Sequence, residues 1–105
     1  MAFSQSSRNV RLENHTLYAD CLEEDNKTWH PTQMDLDRVL GNIDGSFQWG
    51  KKAFSKSARN IALEGDSVLK ASLENEVGTY GPNQQVNLDE HIANINGELK
   101  PYKIN

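Results

Sequence analysis

Apolar and polar residues alternate with period two through Thr16–Leu22, which sets Leu17, Ala19 and Cys21 on one side and Tyr18 and Asp20 on the other. That is the pattern of a strand buried on one face only. Val68–Leu73 repeats it, with Leu69, Ala71 and Leu73 on the matching face, and Val10 with Leu12, then Ile61 with Leu63, predict the strand before each. A third strand is expected near Trp29–Met34 and again near Thr79–Val86, where Pro31 and Pro82 mark edges or turns. Next, Asp35 and Asn87 occupy N-cap positions, and Asn87-x-x-Glu90 has capping-box spacing, so each stretch predicts a short helical turn. Asp44-Gly45 and Asn96-Gly97 follow, flanked by Ile43 and Phe47 or by Ile95 and Leu99; they are type I′ hairpin signals, because both residue pairs tolerate positive φ.

The two sets of elements are one pattern used twice. FSQSSRNVRLE (3–13) over FSKSARNIALE (54–64) has seven of eleven residues identical, and LDRVLGNIDGSF (36–47) over LDEHIANINGEL (88–99) has five of twelve. Two copies are too few for a solenoid and each is too short to close its own core. The expectation is therefore one mainly β domain over 1–105, with sequence repeat one at 1–51, repeat two at 52–105 and a pseudo-twofold axis between halves that complete each other.

Composition narrows the function. Lys and Arg (11) are dispersed among Asp and Glu (15), a formal charge of −4, so no basic stripe is present for nucleic acid or an anionic membrane. No apolar run approaches the ~20 residues of a membrane span, and the first residues lack the layout of a secretory signal. With a single cysteine as well, a cytoplasmic location is expected. The sequons at Asn14 and Asn26 are read as incidental.

The FSQS start, the L-x-A-x-C strand, the D-L-D-x-V-L-x-N-I-D-G-S-F-x-W segment and the closing N-L-D-x-H-I-A-N-I-N-G-x-L together resemble the cyanovirin-N homologue family, in register over nearly the whole chain and in both copies. The resemblance implies two pseudo-symmetric lobes, each joining the three-stranded sheet of one copy to the β-hairpin of the other. It also implies a lectin, with a shallow pocket in each lobe for mannose-rich glycans, notably α1→2-linked mannose, and with no metal or other cofactor.

Carried over by position, the first pocket would combine Ala2, Gln5 and Ser6, the turn Glu23, Glu24 and Asp25, and the second hairpin at Asn94, Ile95 and Asn96. The second would combine Gly41, Asn42, Ile43 and Asp44 with Lys52, Ala53, Lys56 and Ser57, and the turn Glu74, Asn75 and Glu76. Gln5, Ser6, Asn94 and Asn96 suit hydroxyl recognition, being neutral donors and acceptors. Gly41, Ala53, Lys56, Glu74 and Glu76 depart from what a strong family pocket carries, so the first pocket is favoured. The family's disulfides, at the positions of Ser7, Cys21, Ala58 and Leu73, are missing here. Leu73 standing where Cys21 stands in the other copy marks Cys21 as a packed core thiol. The hinge Gln48–Lys52 lacks the proline that accompanies domain exchange in the family, so a monomer is expected, with a domain-swapped dimer as the other state the fold allows.

Other chemistry is less well supported. Asp35 with Asp37, and Asp89 with Glu90, could be paired carboxylates of a glycosidase, but their recurrence at helix starts favours capping. His15, His30 and His91 lack metal-ligand spacing. Trp49 ends a hairpin strand and is read as core; Asn42 and Asn94 precede the turns and could simply hydrogen-bond nearby backbone. The competing function class is a protein-interaction module on the same fold.

Overall fold

The structure, a computed structural model, describes residues 2–104; the outermost positions of the expected 1–105 unit, Met1 and Asn105, lie outside them. The first copy opens with a 3-10 turn, η1 (Phe3–Ser6), followed by an antiparallel sheet of β1 (Ser7–Glu13), β2 (Thr16–Leu22) and β3 (Trp29–Asp35). Turn η2 (Leu36–Arg38) leads into the hairpin β4 (Leu40–Ile43) and β5 (Ser46–Trp49). The second copy repeats this order: η3 (Phe54–Ser57), β6 (Ala58–Glu64), β7 (Val68–Glu74), β8 (Tyr80–Asn87), η4 (Leu88–Glu90) and the hairpin β9 (Ile92–Ile95) and β10 (Glu98–Pro101).

The central strands β2 and β7 form for the reason their alternation gives. Leu17, Ala19 and Cys21, and Leu69, Ala71 and Leu73, are at most 1% exposed, while Tyr18 and Lys70 face outward. Phe3 and Phe54, Leu36 and Leu88, and Leu40 and Ile92 extend the same core in matched pairs. Each such side chain contributes about 1.5–3 kcal/mol by leaving water. Trp49 is half-buried against this core and meets His91 edge-on at 5.0 Å.

Local turn chemistry behaves as the residues dictate. Asp44 (φ 50°) with Gly45 (φ 87°), and Asn96 (φ 48°) with Gly97 (φ 88°), both take the paired positive φ of a type I′ turn. Asp35 and Asn87 cap η2 and η4, accepting from the amides of Asp37 and Asp89, each at 3.0 Å. The Asn87 cap thus closes on the second residue of the turn, not on Glu90 as capping-box spacing suggested, because the element is a single 3-10 turn. Less expected is a bulge where β1 and β6 slip register, with Asn9 (φ 53°) and Asn60 (φ 59°) in the left-handed region; the Arg-Asn pair common to both copies marks it.

The hairpins are exchanged between copies. β9–β10 packs on β3 and η1, with Ala2 and Ala93 bridged, while β4–β5 packs on η3 and β8, with Gly41 and Ala53 bridged and Phe47 on Phe54 at 5.6 Å between ring centroids. Asp37 and Asp89, read from sequence as capping residues, also clamp the other copy. The Asp37 carboxylate accepts from the Ser55 amide at 3.0 Å and from its hydroxyl, and Asp89 does the same for Ser4.

The two bridges differ in strain. Ala2 is extended (φ −60°), whereas Ala53 sits at φ 64°, ψ 37°, where a Cβ is crowded. Ala53→Gly is therefore expected to stabilise the fold by about 0.5–1 kcal/mol, and Ala2→Gly to destabilise it, in paired chemical denaturation curves.

Candidate functional site

The site is built by a latch between the copies. In the first lobe the Asn94 side chain reaches across the chain, its Nδ2 donating to Ser6 Oγ at 2.8 Å and to the Leu22 carbonyl at 2.9 Å, while its Oδ1 accepts from the Gly97 amide at 2.8 Å. Asn96 adds a second tie, its Oδ1 accepting from the Glu24 amide at 3.0 Å. The hairpin turn is thereby pressed against the turn that follows β2. A Cβ on Gly97 would come within 2.7 Å of Glu23 Cγ and 3.0 Å of His30 Cβ, so this approach needs glycine for space as well as for φ.

The structure thus brings Ala2, Ser6, Glu23, Glu24, Asn94 and Asn96 onto one face of the lobe. Exposed Gln5 and Ile95, the latter at 50%, border it. These residues do not all play the same part. Asn94 is a strut, because its amide is already engaged at both ends. Asp25 closes its own turn, accepting from Thr28 Oγ1 at 2.6 Å and from the amides of Lys27 and Thr28 at 2.9 Å each. Those bonds, the Thr28 hydroxyl foremost, hold the Asp25 carboxyl below its ordinary value of 3.8.

A depressed folded-state pKa means that the contribution of this carboxylate is complete above the unfolded value and is lost as pH falls through the folded one. Asp25 is expected to titrate below 3.8, with the Lys27 and Thr28 amides exchanging faster as it does, and Thr28→Val is expected to raise the midpoint. Carboxyl-detected NMR titration checks both.

The second lobe repeats the latch. Asn42 Nδ2 donates to Ser57 Oγ and the Glu74 carbonyl, both at 2.8 Å, its Oδ1 accepts from Gly45 N at 2.8 Å, and Asp44 holds the Glu76 amide at 2.9 Å. Gly41 is buried, and a Cβ there would lie 2.9 Å from Lys52 N. Asn75 caps its own turn through the Val77 and Thr79 amides. Lys52 also lines a separate cleft with Arg38 and Lys100, and Lys56 is exposed on η3. Gly41, Asn42, Ser57, Glu74, Asp44 and Glu76 are brought together around a frame whose polar groups are largely engaged, with exposed Ile43 and Val77 at its border.

Two residues of the first lobe were not found from sequence. His30 Nδ1 meets the Gly97 carbonyl at 2.9 Å, and Thr32 Oγ1 accepts from Leu99 N at 3.4 Å. Pro82 and Gln84 occupy the equivalent places in copy two, so the repeat gave no signal for either. Cys21 is fully buried beside Ser7 Oγ at 3.1 Å, and burial pushes its thiol pKa up, as suits a core residue.

Comparison with known proteins matches this architecture. A family model described as the CVNH domain covers residues 3–100. A Cyanovirin-N homolog of Tuber borchii is 36% identical over 102 residues, spanning 94% of this chain and 97% of that protein. Among solved structures, a microvirin:mannobiose complex superimposes with a TM-score of 0.81 at 28% identity, covering 95% of this chain and 97% of that one. A crystal structure of a MoCVNH3 variant in complex with (N-GlcNAc)4 does so with a TM-score of 0.86 at 26% identity, covering 94% and 95%.

Proposed function

The chain belongs to the CVNH family, a family of non-enzymatic carbohydrate-binding lectins, and from that premise we propose that its ligand is a mannose-containing oligosaccharide, α1→2-linked mannose preferred, held in the first lobe. The observation that carries this reading is the latched face of that lobe. Two turns from different copies are fixed side by side, leaving the Gln5 amide, the Glu24 carboxylate and the Nδ2 group of Asn96 exposed along its rim. The side chain of Ile95, half-exposed, offers an apolar patch for the C–H face of a sugar ring.

Such a face recognises a neutral saccharide without chemistry. Carboxylate and amide oxygens accept from sugar hydroxyls, amide N–H groups donate to them, and the latch means that the protein groups lose little freedom on binding. Each bond contributes about 0.5–1.5 kcal/mol net, so one site is expected to bind in the micromolar to millimolar range. The mannobiose complex of microvirin supports the mannose reading. The (N-GlcNAc)4 complex of the MoCVNH3 variant makes a GlcNAc oligomer the necessary competitor.

The test is an amide-shift titration with α1→2 mannobiose, repeated with α1→3 mannobiose and with chitotetraose. Saturable shifts at Gln5, Ser6, Glu24 and Asn94–Asn96, strongest for the α1→2 sugar, are expected. No response at these amides under saturating sugar, or a preference for chitotetraose, overturns the proposal.

A further inference from the structure

We propose that the cleft between η2, β3 and β10 is an oxyanion site that takes a phosphate group. It is a cavity of about 540 Å³ whose rim carries three cations, Arg38, Lys52 and Lys100, against one carboxylate, Asp35. In a chain with 11 cations and 15 anions this local excess runs against the whole-molecule charge. Asp35 is moreover directed to its neighbours, its Oδ1 lying 2.7 Å from His15 Nδ1 and accepting from the Asp37 amide at 3.0 Å.

The cations themselves are weakly compensated. Lys100 lies 3.5 Å from Glu98, but both side chains are about half exposed, a pairing that solvent screens. Among the described residues neither Arg38 nor Lys52 has an acidic partner within salt-bridge distance. Val39 and Leu99 form a buried apolar floor at 8% and 5% exposure. A low-dielectric wall beneath several like charges focuses their field outward, which raises the local concentration of a counter-anion. Arg38 adds the planar fork that matches two phosphate oxygens, while the lysines act as point charges.

The internal repeat supplies a control. Glu90 stands in η4 where Arg38 stands in η2, and Gln48 stands in β5 where Lys100 stands in β10, yet the second set builds the same turn and the same hairpin strand. The fold therefore does not need these cations, and their convergence on one cleft calls for a ligand. The cleft adjoins β10, whereas the saccharide face is at the Asn94–Asn96 end of the hairpin, so the two proposals stand or fall separately.

The experiment is an amide-shift titration of the full chain with inorganic phosphate at constant ionic strength, with chloride as reference and with mannose 6-phosphate and mannose as further arms. Saturable, phosphate-dependent shifts at Arg38, Lys52 and Lys100 are expected, with Asn94–Asn96 unmoved by inorganic phosphate. The double variant Arg38→Glu with Lys100→Gln carries residues that the other lobe already folds with, and is expected to weaken phosphate binding at least tenfold while leaving α1→2 mannobiose binding as in the parent. Equal responses to both phosphates assign recognition to the phosphate group alone; saturation only by mannose 6-phosphate assigns it to a phosphorylated saccharide. Non-saturating shifts shared with chloride, or full phosphate affinity in the double variant, overturn the proposal.

Discussion

Peptides 1–51 and 52–105, prepared separately, are expected to be unfolded, and an equimolar mixture to recover the dispersed amide spectrum of the intact chain. The reason lies in where each hairpin finds its cover. Ile92 and Leu99 of β9–β10 are 1% and 5% exposed, and the surface that shields this hairpin belongs to β3 and η1 of the other copy. Conversely, Phe47 of β5 packs on Phe54 with the rings tilted, and the Asn42 latch ends on Ser57 and Glu74. Cutting the chain removes from each half both its own latch and the one it receives, together with the Asp37 and Asp89 clamps on Ser55 and Ser4. A domain is stable by only about 5–15 kcal/mol. Losing even three or four buried apolar side chains at about 1.5–3 kcal/mol each consumes that margin. Circular dichroism and two-dimensional NMR of each peptide alone decide the matter: a dispersed spectrum from either one would show that copies close their own cores. In the mixture, recovery should depend on concentration, since the tie through Gly50–Lys52 has been replaced by a bimolecular encounter.

What the sequence made legible was whatever is local or repeated. The alternation in β2 and β7 fixes which face is buried because side chains in a strand change sides at every residue. The Asp44-Gly45 and Asn96-Gly97 turns were readable because few residues accept two consecutive positive φ angles. The caps at Asp35 and Asn87 were readable for the same kind of reason. The latches were not. Asn94 and Ser6 are 88 positions apart, and nothing in the neighbourhood of either tells that their side chains meet or that the same amide reaches the Leu22 carbonyl of the other copy. Residue type left two roles open for Asn94, a sugar-binding amide or a partner for nearby backbone, and the geometry makes it a strut that ties its own turn to the backbone of the other copy. Likewise Asp37 and Asp89 looked like simple helix-start acids and prove also to clamp η3 and η1. The positive φ of Ala53 breaks the match with Ala2, and no residue in the pair foretells it. His30 and Thr32 contribute through contacts that one copy alone has, which a repeat-based reading is blind to.

Asn94→Ala is expected to cost about 2–4 kcal/mol of folding stability and to abolish α1→2 mannobiose binding. The stability loss follows from the groups left behind. The Leu22 carbonyl and the Gly97 amide both lose their partner, and a part-buried polar group without one costs about 1–3 kcal/mol. For a chain of this size that is a fall in Tm of roughly 10–20 °C. Asn94→Asp does no better, since a carboxylate keeps the bond from Gly97 N but sets an oxygen against Leu22 O. The binding loss has a different origin: without the strut only the exposed Asn96–Glu24 bond ties the two turns, and the saccharide face loses its fixed geometry. Asn42→Ala separates the two effects, because it removes the same network from the second lobe, where Ser57, Glu74 and Gly45 are the partners. The two variants should be destabilised alike in urea. Only the first should fail to bind, measured by titration at a temperature where both remain folded. If Asn94→Ala, still folded, binds mannobiose as tightly as the parent, the saccharide face is not in the first lobe; if Asn42→Ala fails instead, it belongs to the second.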